Sequence, residues 1–138
     1  TMLYSARCDE FRYEEGVKKA VDMCKKNNID GIIVIGGDGT FTGGRIFAQE
    51  YNVPVIGIPI NATPLNGMDA LLSFAQMPAG IPVATMAING AKNAALFAVQ
   101  ILATKYPELV DKLADDRKKM QEEVKAKGEK LAAMRQAQ

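Results

Sequence analysis

The chain contains no histidine and no tryptophan among its 138 residues, and only two cysteines. Histidine is the side chain that most readily takes up and releases a proton near neutral pH. Without it, acid–base chemistry has to rest on carboxylates, lysines or bound groups. Cys8 and Cys24 lack a Cys-x-x-Cys spacing and have no histidine with which to share a metal. They read as reduced thiols, the state expected in the cytoplasm. Charge of one sign is also missing: 17 Lys and Arg face 16 Asp and Glu, a net charge of +1. That balance leaves no electrostatic footprint for nucleic acid or for an acidic membrane surface. The longest apolar runs, Ile81–Ile88 and Ala94–Ala103, are too short to span a bilayer, and no secretory leader is visible.

What is present is the composition of an ordinary globular protein, 48% hydrophobic and 24% charged. The length suits a single α/β domain over residues 1–138. Thr1–Ser5 is a short apolar start with the look of an edge strand. Glu14–Lys26 places Val17, Ala20, Val21 and Cys24 on one face at helical spacing, and Asn27-Asn28 ends that helix. Ile32–Ile35 is an unbroken β-branched run, which predicts a strand buried on both faces. A glycine turn follows, then a helix over 40–51, a strand over 53–60, a helix over 67–77, a strand over 82–88 and a helix over 92–104. Strands alternating with helices predict right-handed crossovers and a parallel sheet of four or five strands.

The tail differs. Residues 107–138 are charged and predict one long helix opened by Pro107 at its first turn. Leu113, Met120, Val124, Leu131 and Met134 form a narrow apolar stripe. Asp115–Lys119 and Glu123–Lys127 are favourable pairs four apart. Such a helix is marginal by itself and needs a partner surface, either on its own domain or on a neighbouring subunit.

Gly36-Gly37-Asp38-Gly39-Thr40 joins the Ile32–Ile35 strand to the next helix. Glycine lets the backbone approach a ligand closely, and a helix N-terminus offers free N–H groups to an anion. Asp38 repels a bare phosphate but suits one carrying magnesium. This is no Walker loop, because the Gly-Lys-Ser/Thr ending is absent, and Thr42 stands where a dinucleotide fingerprint needs its third glycine. Two readings stay open: a phosphate site, or a tight connection and nothing more.

Ser5-Ala6-Arg7-Cys8, Glu10-Phe11-Arg12, Glu14-Glu15-Gly16, Ile29-Asp30-Gly31 and Val34–Thr40 resemble ATP-dependent 6-phosphofructokinases over residues 1 to about 50. The resemblance implies ATP contacts at Arg7, Cys8, Gly37, Asp38, Gly39 and Thr40, with Asp38 serving the magnesium. It stops there. Where that family carries its catalytic aspartate, this chain reads Ile60-Asn61-Ala62-Thr63-Pro64. ATP and magnesium are therefore expected as weak ligands at most, and kinase activity is not expected.

A second set of motifs runs from about residue 53 to 138. It comprises Pro54–Pro59, Leu65–Ser73, Gln76-Met77-Pro78, Ile81–Thr85, Ala91–Ala95 and Tyr106–Leu109. These resemble class I carboxyaminoimidazole ribonucleotide mutases and phosphoribosylaminoimidazole carboxylase catalytic subunits, enzymes of purine synthesis. The resemblance implies a flavodoxin-like three-layer αβα sandwich, assembled as a homo-oligomer through the C-terminal helix. In that family a Ser-Ala-His-Arg segment and a Gly-Gly-Ala loop handle the nucleotide, and the histidine moves the proton. Ser5-Ala6-Arg7-Cys8 and Gly36–Gly39 occupy those places here. The family's first strand and helix have no counterpart, which either pairs the N-terminal strand with Ile32–Ile35 or leaves a sheet edge open to exchange of elements between chains.

Taken together, the residues predict a chimeric flavodoxin-like protein: a phosphofructokinase-like segment over 1–52, a mutase-like segment over 53–106 and a helix over 107–138. No catalytic residue and no native catalytic function are expected. Phosphate or nucleotide binding at the glycine loop, and residual mutase or carboxylase activity, are the two alternatives.

Overall fold

The computed structural model describes residues 8–136. Thr1–Ser5 and Arg7 lie outside the described residues. Contacts divide the chain into two compact units, Thr1–Ala94 and Ala95–Gln138.

In the first unit a 3-10 turn at Asp9–Arg12 precedes α1 (Glu14–Lys26), β1 (Ile32–Gly36), α2 (Asp38–Glu50), β2 (Val55–Pro59), α3 (Met68–Ala75), β3 (Ala84–Thr85) and the start of α4 (Ala91–Ala103). The three strands form one parallel sheet in the order β1-β2-β3. This is the flavodoxin-like α/β architecture, with three strands among the described residues instead of four or five. The strand expected over 82–88 shrinks to Ala84–Thr85, whose partners are Ile56 and Gly57. Pro82 brings no N–H to a ladder. Beyond Thr85 the backbone turns to bond the end of β2 irregularly, with Met86 N donating to Gly57 O (2.9 Å) and Asn89 N to Pro59 O (2.8 Å).

Helix α1 matches its expected span because Val17 and Val21 recur on one face, and both are buried. They pack with Phe47 of α2 and Val55 of β2, and Ile32 and Val34 of β1 join them. Full burial of each such side chain contributes roughly 1.5–3 kcal/mol. Asn28 and Asn52, both at positive φ, turn the chain after α1 and α2. Asparagine takes that conformation at lower cost than other side chains.

Successive side chains on a strand point to opposite faces of the sheet. Val34 and Val55 flank Gly44 of α2, and Gly57 lies against Phe74 of α3, so these helices cover that face. Ile33 and Ile35 occupy the other. The expectation that β1 is buried on both faces fails, since Ile33 is 43% and Ile35 59% exposed. The reason is position: among the described residues β1 pairs with β2 alone, and α1 and α2 cover the Ile32–Val34 side. β2 lies between two strands and is buried at all five residues.

The second unit holds the rest of α4 and the long helix α5 (Glu108–Gln136). Val110, Val124, Leu131 and Met134 of α5 are exposed. The pairs Asp115–Lys119 and Glu123–Lys127 do not close. Among the described residues the ion pairs within 4.0 Å are Arg12–Asp9 and Lys19–Glu10, both exposed and both beside α1. An exposed pair gains too little to hold two long side chains in one geometry. No helix among the described residues is long and apolar enough to cross a membrane.

Candidate functional site

Because the strands are parallel, their carboxyl ends open onto one edge, where ligands of such sheets bind. Three connections meet there: Gly36–Gly37 into α2, Ile60–Gly67 into α3 and Met86–Gly90 into α4. They are stitched together. Ile60 N donates to Gly36 O (3.3 Å), Asn89 N to Pro59 O (2.8 Å) and Asn61 N to Asn89 Oδ1 (3.2 Å).

Each connection ends in a glycine directly before its helix: Gly37, Gly67 and Gly90. The carbonyls of these glycines accept the first helical bonds, from Phe41, Leu71 and Ala94. No side chain caps α2 or α3. The first-turn N–H groups of α2 therefore stay available, whereas in α3 Met68 N already donates to Leu65 O (3.0 Å); the positive ends of the helix dipoles lie along one edge. Gly67 has to be glycine for two reasons. It sits at φ +81, and a Cβ there would lie 2.8 Å from Ile88 Cγ2.

Gly37 and Gly39 face open space, whereas Gly36 is closed off by Thr40, whose Cβ would lie 2.7 Å from a Cβ on Gly36. The glycine loop is thus split. Gly36 serves packing against Thr40, and Gly37–Gly39 leaves bare backbone toward solvent. Asp38 is exposed in the first turn of α2. Asp69, half-buried, accepts a hydrogen bond from Thr63 Oγ1 at 2.8 Å. Lys92 is exposed at the start of α4.

Of the residues singled out from the sequence, Gly37, Asp38, Gly39 and Thr40 are contiguous at this edge. Cys8 is an exposed free thiol opening the 3-10 turn, and no hydrogen bond joins it to the loop. Arg7 lies outside the described residues. Among the described residues no cluster of three His, Cys, Asp or Glu is placed to hold a metal ion. Sequence reading missed Gly67, Gly90, Asn61 and Asn89. The one visible signal was asparagine beside glycine in Asn66-Gly67 and Asn89-Gly90, a pair that favours turns with positive φ.

Fold and edge together define a flavodoxin-like α/β protein whose strand carboxyl ends, and the loops that follow them, lie along one edge of a parallel sheet. The AIR carboxylase family model matches residues 7–123, and the chain belongs to that family. It is 46% identical over 119 residues to an N5-carboxyaminoimidazole ribonucleotide mutase of Pyrococcus horikoshii, covering 85% of this chain and 67% of that one. A mutase of the same name from Saccharolobus solfataricus is 43% identical over 122 residues, covering 88% and 77%. One from Pyrococcus abyssi is 51% identical over 89 residues, covering 64% and 51%. The chain thus spans between half and about three quarters of the length of these curated relatives.

These matches correct the reading of the chain as a chimera without a native catalytic function. The family match begins at residue 7 and runs without a break across residue 52, where two parental segments were expected to meet. Nothing supports a phosphofructokinase origin for the first segment. Of the segments that carried that resemblance, the strand–glycine–helix turn is one that many nucleotide-binding α/β folds need for the same physical reason.

Proposed function

We propose that this chain binds an aminoimidazole ribonucleotide at the carboxyl edge of its sheet and takes part in carboxyaminoimidazole ribonucleotide mutase or carboxylase chemistry. The observation that carries this reading is the extent of the family match, over residues 7–123, which includes all three loops of the edge. The geometry is compatible with it. Free N–H groups of Asp38, Gly39 and Thr40 receive the ligand's phosphate, and the open space at Gly37 and Gly39 lets it approach the backbone. The Ile60–Gly67 loop supplies the polar wall.

A mutase moves a group within one molecule. The carboxyl leaves N5, so an N–C bond breaks, a new bond to the carboxyl carbon forms, and a proton travels the opposite way. With no histidine in the chain, that proton passes through a carboxylate or through water. Asp38 and Asp69 are the carboxylates at the described edge.

The test is to incubate the protein with N5-carboxyaminoimidazole ribonucleotide labelled with 13C in the carboxyl group and follow the label by NMR. Migration of the label faster than in buffer is the expected outcome. A label that moves at the buffer rate, together with no calorimetric binding of 5-aminoimidazole ribonucleotide, removes the proposal.

A further inference from the structure

The Ile60–Gly67 loop is the least regular part of the edge: Asn61–Asn66 are six consecutive exposed residues between β2 and α3. Its shape is nevertheless determined at three points. At the tip, Asn66 N donates to Thr63 O (3.1 Å), and Thr63 Oγ1 donates to Asp69 Oδ1 (2.8 Å). At its end, Gly67 seats against Ile88 and Asn61. At its start, the anchor comes from 28 residues away, where Asn61 N donates to Asn89 Oδ1.

Asn89 is built for that task. Its φ is +59, a conformation that turns the chain sharply and that asparagine tolerates. In this position its own N–H donates to Pro59 O (2.8 Å), its carbonyl accepts from Ala91 N (3.0 Å), and its side-chain oxygen meets the Asn61 amide. One residue thus grips the last residue of β2 by its backbone and the loop that follows by its side chain. Asn89 itself is exposed and contributes nothing to the hydrophobic core. A contact that is neither buried nor helical, joining two ligand-side loops, has its consequence in the site.

We infer that Asn89 is a positioning residue, which holds the Ile60–Gly67 loop in the conformation that walls the ribonucleotide site. The inference rests on the proposed function for its ligand, but the clasp is measurable without one.

Asn89→Gly keeps the positive-φ backbone and both main-chain bonds while deleting the side-chain acceptor. Asn89→Asp keeps the acceptor. The expected result is that the Asn61 amide exchanges with deuterated water about tenfold faster in the glycine variant and at the native rate in the aspartate variant, with the melting midpoint unchanged in both. The dissociation constant of 5-aminoimidazole ribonucleotide is expected to rise about tenfold in the glycine variant. Equal Asn61 exchange in native protein and Asn89→Gly overturns the inference whether or not the ribonucleotide binds. Faster exchange with unchanged affinity overturns it too, because the loop would then be held but unused. Should the native protein not bind the ribonucleotide at all, the proposed function falls, and the exchange comparison alone decides for or against the clasp.

Discussion

Gly57 of β2 and Phe74 of α3 are fitted to each other: a Cβ built on Gly57 would lie 2.7 Å from Phe74 Cε1. Phe74 is 1% exposed, and its carbonyl accepts from Thr85 Oγ1 at 3.0 Å. One residue pair therefore joins the central strand, a helix and the last strand. Gly57→Ala is expected to destabilise by about 1–3 kcal/mol through overpacking, and Phe74→Ala by about 3–5 kcal/mol through the cavity it leaves. Combined, the two should cost less than their sum, since removing the ring makes room for the methyl group. Urea midpoints of the four proteins check this.

Adjacent glycines of the first loop should separate folding from binding. Gly36→Ala drives a methyl group into Thr40 and is expected to lose about 1–3 kcal/mol. Gly37→Ala meets nothing within 4 Å. It should change stability by less than about 0.5 kcal/mol, yet weaken 5-aminoimidazole ribonucleotide by about tenfold if the ligand needs bare backbone there. Denaturation and calorimetry on the same samples give both numbers.

Asp38 offers opposite signs for opposite ligands. A phosphate bound without magnesium at the start of α2 is repelled by this carboxylate, so Asp38→Asn should tighten ribonucleotide binding by up to about fivefold, near the ~1 kcal/mol of two charges close together in water. A magnesium–ATP complex would instead lose affinity in the same variant. Titrating both ligands against both proteins, with and without magnesium, tells them apart.

Tyr51 follows α2 and lies 6.4 Å from the Phe47 ring, centroid to centroid. Its pKa is raised above the ordinary 10.0, first by desolvation and then by Glu50, Glu14 and Asp22. The folded chain consequently holds this proton at a pH where the unfolded chain has released it. Any stability linked to it is complete below pH 10.0 and is lost as pH rises through the folded pKa. Tyr51→Phe should flatten that alkaline decline, as read from unfolding midpoints between pH 9 and 11 (about one unit either side of a free tyrosine).

Helix α5 carries Val124, Leu131 and Met134 exposed along its length. A helix with so thin an apolar stripe gains its stability from a partner surface. The chain is expected to self-associate through it, and Val124→Glu with Leu131→Glu should shift light scattering toward the monomer. A native protein that is already monomeric at micromolar concentration counts against this.

The parts of the fold legible in the sequence are those set by neighbours along the chain. The 3.6-residue recurrence of Val17 and Val21 placed α1 to the residue, because one buried face suffices to define a helix. The glycine break between a β-branched run and a helix could be read the same way, although it is confined to Gly36 and Gly37 and the helix opens at Asp38, two residues before the expected residue 40. β1 could not. Ile32–Ile35 is apolar throughout, but which of its faces is covered depends on what lies beyond the edge. Local likeness also misled: several short segments of the first 50 residues resemble one family, while the match over 7–123 shows another.

By itself the amino-acid order determined the alternation of elements and the parallel sheet that such alternation requires. Each follows from covalent sequence and local periodicity. Only the tertiary structure decided that Gly37, Gly67 and Gly90 open onto one edge, and that Asn89 reaches Asn61 across 28 residues. Strand register sets those meetings, and register is a free-energy choice among distant segments that no local window contains.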